Sequence, residues 1–583
     1  MPLLENANNC GDPHFSDRPV VLKWLILPYL LLIIIHLVYA VNIQQPWYFA
    51  DESGYLGNAR YLSGNSHMRM TGSYYHPGYS MLILPAFIFF SEPVSIYKAV
   101  LATNCILICA LFFPLFFLLK RLFYASNKIT TITAFTVCLY PAFSLQANLA
   151  LAENAFIPCY ALLVVFFFLF FSEKTYPYAL LFGLLAGFIY TIHPRGLSVA
   201  AISICYICFL TVFKVLPARK VFVSVIITCL VLAFTFLLNK HLKTLAWPGV
   251  APGFENPAGV ATYLFKKFLG MKGIKDILME VAGQFLYLIQ ATYGLFLLGL
   301  INIVAIIRKG ISPLSSTKKT FQDIRSMTLL FVVITSIGIF LTSVMLLAGP
   351  HNNMALGDLL IYGRYNEGFL AIYMASGLMW LYSRSQEVIK KSESLTLFVT
   401  ILLTFLIVAG IGYNKLMSYT WINGVNAFGI WPFFSEFRRL DICLISLFAI
   451  IAFMAINRLM KIRYIWGVAV LVFLFSTFTF YGFHSIFMPS QKERIEQTTL
   501  VSYIKQFDVI GYDRAFHDLR SFFSYQYLAP HVRFRTFSSK KKKLPEVDAV
   551  ISGRKWKDAK RLNARFVAVE NKKDQVLWGL PGK

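Results

Sequence analysis

Apolar runs long enough to cross a bilayer recur along most of this chain, and that recurrence constrains the fold more than any motif does. About thirteen are present, at roughly 21–42, 95–119, 129–147, 154–172, 176–193, 196–213, 221–239, 284–307, 327–348, 366–383, 395–413, 440–457 and 464–486. A helix needs about 20 such residues to cross about 30 Å of hydrocarbon. With 57% hydrophobic and only 14% charged residues, the composition excludes a soluble globular protein. The expected fold is a polytopic α-helical membrane protein. A shorter run, 79–91, contains Pro85 and follows His76-Pro77-Gly78, and reads as an interfacial or re-entrant helix. The first run follows a polar segment and has no small-residue cleavage site, so it reads as a retained helix rather than a signal peptide.

Charge sets the orientation. The net charge of +26 would suggest nucleic acid in a soluble protein, but here Lys and Arg cluster at alternate helix ends and no nucleic-acid partner is expected. With the N-terminus in the cytoplasm, the inner turns carry Lys120, Arg121 and Lys128, then Lys214, Arg219 and Lys220, then Arg308, Lys309, Lys318, Lys319 and Arg325. Arg384, Lys390 and Lys391, then Arg458, Lys461 and Arg463, continue the series. The loop after the seventh run and the C-terminal segment are also basic, but long segments translocate largely regardless of charge. Membrane lipid is the surrounding partner, and anionic lipid or a phosphate-bearing substrate fits part of the remaining charge.

On this topology the outer face collects the polar chemistry. The first outer loop, 43–78, holds Asp51, Glu52, Arg60, His67, Arg69 and His76. Later outer turns hold Glu153, then His193-Pro194-Arg195-Gly196, then His351, Asp358, Arg364 and Glu367. The inner loops are short and almost purely basic, so a catalytic site has to face outward. In the loop 240–283, Tyr263–Leu269 alternates apolar and basic residues at helical spacing and reads as an interfacial amphipathic helix. The nine cysteines are scattered, mostly within apolar runs. Cys205 and Cys208 have CxxC spacing, but with no further ligand nearby they read as small buried hydrophobes.

From Met488 the pattern changes. The chain divides into a transmembrane module, 1–487, and a soluble C-terminal α/β domain, 488–583, placed on the extracytoplasmic side. Helices are expected at Ile495–Phe507 and Phe516–Tyr527, with strands at Val509–Tyr512, Val532–Phe537, Val547–Ile551 and Phe566–Val569, in a small three-layer arrangement. It has no glycine-rich phosphate loop and no acidic pair, so binding or docking suits it better than catalysis. Lys540–Lys543 reads as a solvated basic turn, or as a contact for anionic lipid or glycan.

Each candidate residue has a plain reading beside a chemical one. Asp51 can cap a short helix through Tyr55, Ala59 and Leu62, with Glu52 in its first turn. Alternatively, a carboxylate at a membrane surface can act as general base on an attacking hydroxyl or amine. One carboxylate suffices if the leaving group is a phosphate. Glu153 is a helix-start carboxylate, or a substrate or metal contact beside Asp51; deep burial in lipid would cost it about 2.5–3.5 kcal/mol. Arg195 and Arg364 snorkel to headgroups or clamp a phosphate. An outer arginine such as Arg364 runs against the positive-inside tendency, which favours the clamp. His76 shapes the end of the first loop or makes a polar contact there, and His351 reads as structural.

In order, Ala50-Asp51-Glu52-Ser53-Gly54-Tyr55, His76-Pro77-Gly78-Tyr79, Lys120-Arg121, Tyr140-Pro141 before Glu153, and His193-Pro194-Arg195-Gly196 after a Gly-rich span form a recognisable set. It resembles the polyprenyl-phosphate-dependent glycosyltransferases of the GT-C superfamily, which include the protein mannosyltransferases and the lipid A aminoarabinose transferase. The resemblance covers the first 200 or so residues. It implies inverting transfer of one sugar from a polyprenyl-phosphate-linked donor, on the outer face of the inner membrane, to a glycan, lipid or protein acceptor. By motif position it makes Asp51 the first-loop catalytic acid and base, Glu153 the second-loop acid and Arg195 the arginine of the third outer turn, with Glu52 beside Asp51 the second catalytic candidate. The substrate-binding set is then Tyr55, His76, Glu153, His193, Arg195, Arg364 and Tyr365. Some relatives use a divalent metal and others do not; Asp51 and Glu153 are the ligands it would take. The family often has two prolines where this chain has His76-Pro77-Gly78, and its acidic pair is spaced differently, which leaves the role of Glu52 and the acceptor open. The rival readings are an envelope oligosaccharide polymerase or ligase, which concentrates arginines in large outer loops, and a lipid-linked glycan flippase, which predicts internal pseudo-symmetry.

Overall fold

The computed structural model describes residues 22–47, 50–64, 75–246, 271–310, 321–347, 361–383, 386–410, 427–430, 439–496, 498–513, 519–539, 544–570 and 575–581. His67, Arg69, the expected interfacial helix at Tyr263–Leu269, His351, Asp358 and Lys540–Lys543 lie outside them.

The first third builds α1 (Lys23–Ala40), α2 (Ala50–Leu62), α3 (Pro77–Phe89), α4 (Pro93–Cys109), α5 (Phe112–Phe123), α6 (Asn127–Cys138), α7 (Pro141–Gln146) and α8 (Glu153–Glu173). There follow α9 (Tyr176–Ile192), α10 (Gly196–Val212), α11 (Ala218–Ala246), α12 (Met271–Ala291), α13 (Leu295–Gly310) and α14 (Phe321–Leu347). Next come α15 (Glu367–Ser383), α16 (Gln386–Gly410), α17 (Arg439–Ile462) and α18 (Tyr464–Gly482). Among the described residues, seven helical stretches are long and apolar enough to cross a membrane, Glu153–Glu173 and Ala218–Leu245 among them, and four shorter apolar helices accompany them. The chain is a multi-pass membrane protein.

Local chemistry sets where these helices start and turn. Proline stands in the first turn of α3, α4, α7 and α9, where its missing N–H costs nothing. Glu92 caps α4 by accepting from Ser95 N at 2.6 Å. At the basic end of the bundle, Tyr124, Lys174 and Lys214 each take a left-handed conformation (φ 52°, 52° and 56°) and close the turn into the next helix. The run at 95–119 divides at Ala110–Leu111 into α4 and α5, and two further runs are broken. The run at 129–147 breaks at Tyr140, which is extended because Pro141 follows it. The run at 284–307, expected as one span, is two helices meeting at 101°. Tyr293 (φ 49°) and Gly294 (φ 80°) turn the chain there, and an apolar run records length but not a bend. Against α15, the close crossing of α13 depends on a glycine on each side. A Cβ on Gly299 would strike the Tyr373 carbonyl, and one on Gly377 would strike that of Leu295.

Helix α18 runs on through a π-helical turn, Phe483–Phe487, into α19 (Met488–Glu496). The single helix expected at Ile495–Phe507 is instead the end of α19 followed by the short α20 (Val501–Ile504). Beyond it lie β1 (Val509–Asp513), α21 (Leu519–Leu528), β2 (Arg533–Phe537), β3 (Ala549–Gly553), α22 (Asp558–Arg561), β4 (Arg565–Glu570) and β5 (Gln575–Gly579). The sheet order is β2-β1-β3-β5-β4; β1 pairs in parallel with β2 and β3, and β5 pairs antiparallel with β3 and β4. Strand β5 was not expected from sequence. Tyr512 packs on Phe522 of α21, while Val509 and Val550 share a cluster with Trp556 and Ala559 of α22, so a helix lies on each face of the sheet. The domain is joined to the bundle at several points. Gln491 donates to Gln45 O at 2.7 Å and Tyr527 donates to Pro93 O at 2.9 Å, and just before the domain Trp47 stacks on Phe487 at 4.5 Å.

Candidate active site

Asp51 and Glu52 stand side by side in the first turn of α2, and helix geometry turns neighbouring side chains about 100° apart. They end in different surroundings. Glu52 points inward and is fully buried. Its Oε1 accepts from Tyr97 Oη at 2.7 Å and from Ala150 N at 2.9 Å. Burial raises its carboxyl above the ordinary value, against those two hydrogen bonds. Asp51 points the other way, with its side chain 20% exposed.

Helix α2 is fixed on α3. Ser80 Oγ donates to Tyr55 O at 2.9 Å, Asn58 donates to Tyr75 O at 2.7 Å, and the Tyr55 ring meets Tyr79 edge-on. Helix α3 is in turn tied to the end of α9, where His76 Nδ1 lies 2.8 Å from Tyr190 O. This brings the first loop next to His193-Pro194-Arg195.

Four charged side chains from distant parts of the sequence meet at this end of the bundle. Arg364 donates to both Glu153 oxygens, from Nε at 2.9 Å and from Nη2 at 3.1 Å. The same Nη2 lies 2.5 Å from Asp51 Oδ2. Arg195 Nη2 lies 3.4 Å from Glu153 Oε1, and both of those side chains are fully buried. Two aromatic faces flank the Arg195 guanidinium, Phe156 at 4.2 Å and Tyr365 at 5.0 Å. Among the described residues, its buried Nε has no hydrogen-bond partner, and its Nη2 has only the longer ion-pair contact to Glu153. His193 meets the Tyr365 ring at 5.2 Å. Burial, with Arg195 and Arg364 alongside, holds His193 well below the ordinary histidine value, and burial holds His76 down at about 4.

Two features of the site were not read from sequence. Tyr75 Oη donates to Asp51 Oδ1 at 2.5 Å. Beyond Arg364, Glu367 accepts from Gln146 and from Tyr287 Oη, the latter at 2.6 Å, while Gly429 N donates to Tyr287 Oη at 3.1 Å. Gln284, also on α12, accepts from Asn366 at 2.8 Å. Tyr75 sits one residue before His76-Pro77, and that adjacency was the only sequence signal for it.

The donor set does not fit a divalent cation. Asp51 and Glu153 are the carboxylates such an ion would take, but the Arg364 guanidinium bonds to both, and a second guanidinium lies beside them. No group of three or more His, Cys, Asp or Glu is gathered among the described residues.

No family model and no curated protein sequence matches the chain. Among solved structures it is similar to ArnT from Cupriavidus metallidurans bound to undecaprenyl phosphate. That match has 13% identity, covers 96% of this chain and 98% of that one, and has a TM-score of 0.54. The same protein in its apo state matches with 14% identity, over 95% and 97% of the two chains, with a TM-score of 0.52. The likeness extends over the membrane helices and the C-terminal sheet together, so the chain has the fold of ArnT.

Proposed function

We propose that this protein is a membrane glycosyltransferase that moves a sugar from a polyprenyl-phosphate-linked donor to an acceptor on the extracytoplasmic face of the inner membrane. The observation that carries the reading is the Arg195–Glu153–Arg364–Asp51 cluster, in a fold shared with a protein that binds undecaprenyl phosphate. Arg195 and Arg364 hold the donor phosphate. Glu153, buried between them, keeps both guanidinium groups oriented.

The reaction is an inverting displacement. The acceptor's hydroxyl or amine attacks the anomeric carbon from the side opposite the phosphate. The bond from that carbon to the phosphate oxygen breaks, its electron pair leaves with the polyprenyl phosphate, and Asp51 takes the acceptor's proton. A positioned general base contributes about 10²–10⁴-fold. Preorganised donors on the developing phosphate charge contribute about 10²–10³-fold each. Tyr55, His76, His193 and Tyr365 shape the walls of this site. Glu52 enters as the anchor that holds α2 against Tyr97 and the Ala150 backbone.

Asp51→Asn, assayed in membranes supplied with labelled lipid-phosphate sugars, is expected to lose about 10²-fold or more of transfer. Transfer at the unaltered rate would remove the base from the mechanism. In this reading the site and the C-terminal sheet are extracytoplasmic, so a reporter fused after Lys583 is active only outside the cytoplasm.

A further inference from the structure

Arg364 is shared by two acids that hold it unequally. Glu153 is fully buried and takes two of its nitrogens, Nε at 2.9 Å and Nη2 at 3.1 Å. Asp51 takes only Nη2, at 2.5 Å, and is 20% exposed where Arg364 is 7% exposed. An anion arriving from outside therefore meets the Asp51 side of the guanidinium first. The other Asp51 oxygen accepts from Tyr75 at 2.5 Å. Both oxygens are thus engaged, Oδ2 by Arg364 and Oδ1 by Tyr75. Within the cluster two guanidinium groups face two carboxylates, so an incoming phosphate has to compete with a carboxylate for its donors. Arg195 Nε, buried in the same cluster, is a donor without a hydrogen-bond partner among the described residues.

On the glycosyltransferase reading above, we infer that Asp51 is the resident counter-ion of the phosphate site and that the donor's own phosphate sets it free. The phosphate accepts from Arg195 Nε and displaces Asp51 from Arg364 Nη2. Glu153 keeps Arg364 in place through Nε. Asp51, still held by the Tyr75 hydroxyl, turns to the acceptor. Carboxylate and phosphate thus compete for one nitrogen, and the base becomes available only when a phosphate has arrived. A sugar carried on an uncharged lipid cannot make the exchange, so Asp51 also selects for a phospho-linked donor. The exchange reverses at the end of the cycle. Asp51 then carries a proton and competes poorly for Arg364, and departure of the polyprenyl phosphate becomes easier once that proton is lost.

The test measures binding rather than turnover and uses the full-length protein in nanodiscs. Undecaprenyl phosphate and undecaprenol are titrated against the unaltered protein, Asp51→Asn and Asp51→Ala. Removing the competing carboxylate is expected to tighten undecaprenyl phosphate binding about tenfold, equivalent to about 1.4 kcal/mol, with no change for undecaprenol. The alanine variant removes any residual amide contact with Arg364, so the two variants check each other. Equal or weaker binding by both overturns the inference while leaving the glycosyltransferase reading intact. If neither the unaltered protein nor the variants prefer undecaprenyl phosphate to undecaprenol, the phosphate-donor reading falls, and this inference falls with it.

Discussion

Glu153 sits, fully buried, where two guanidinium groups converge, so replacing it leaves both without their shared partner. Removing one partner of a buried ion pair leaves uncompensated charge and costs about 3–5 kcal/mol. Glu153→Gln is therefore expected to lower the thermal unfolding midpoint markedly and to weaken phosphate binding, because Arg195 and Arg364 lose their common anchor; Glu153→Asp should recover part of both. The histidines behind the site predict a pH effect with a definite sign. His76 titrates at about 4 in the fold against 6.5 when free, and His193 is also held low. Between those values the unfolded chain binds more protons than the folded one, so stability is lost as pH falls through that window. For His76 the loss approaches about 3 kcal/mol by pH 4. Glu52 acts in the opposite sense: it favours the protonated form in the fold, and its contribution is lost as pH rises through its raised value. Thermal unfolding followed from pH 7 to pH 5 should show a fall that His76→Gln makes shallower.

The helices carry these side chains to one end, and the broken pair α12–α13 does so in a way the sequence concealed. Tyr287 of α12 packs its ring directly over Gly363, where a Cβ would overlap the ring. Gly363→Ala is thus expected to push Tyr287 off Glu367, displace the turn that carries Arg364, and cost about 1–3 kcal/mol of stability. Undecaprenyl phosphate binding and thermal unfolding measured on the same variant should fall together. Length and hydropathy made the helices legible in advance, and the alternation of basic turns put Asp51, Glu153, Arg195 and Arg364 on one face, where the structure brings them into contact. The 101° bend was not legible, because Thr292-Tyr293-Gly294 interrupts no apolar pattern. Nor was the partnering of Tyr75 with Asp51, or of Gln146 and Tyr287 with Glu367, because those contacts are set by packing between segments distant in sequence or by a loop path. Strand β5 escaped for a related reason: Gln575–Gly579 is short and follows a charged stretch, and only pairing with β3 and β4 on both sides makes it a strand.

The molecule as a whole joins its C-terminal sheet to the loop that carries the proposed base. Arg60, at the far end of α2 from Asp51, donates from Nη1 to Gln526 O and from Nη2 to Tyr527 O, both at 3.0 Å. Those carbonyls belong to the last turn of α21, the negative end of the helix dipole, so the guanidinium caps that helix and neutralises it. It also lies 5.1 Å from the centre of the Tyr527 ring. Tyr527 in turn meets Tyr97 edge-on, and Tyr97 holds Glu52, the neighbour of Asp51. The sheet domain therefore braces both ends of α2. Arg60→Met keeps the apolar stem but leaves two buried carbonyls without their donor, at about 1–3 kcal/mol for each group left unsatisfied. The expected outcome is divided. Hydrogen exchange should accelerate in α21 and α2, and sugar transfer should slow because Asp51 is less firmly placed. Undecaprenyl phosphate affinity should change little, because Arg195, Glu153 and Arg364 are held by α8, the start of α10 and the turn before α15. Arg60→Lys, which restores one donor and the charge, should recover part of the transfer rate. If Arg60→Met weakens lipid-phosphate binding as strongly as it slows transfer, the sheet domain supports the bundle as a whole, and the specific link from α21 to Asp51 is lost from the account.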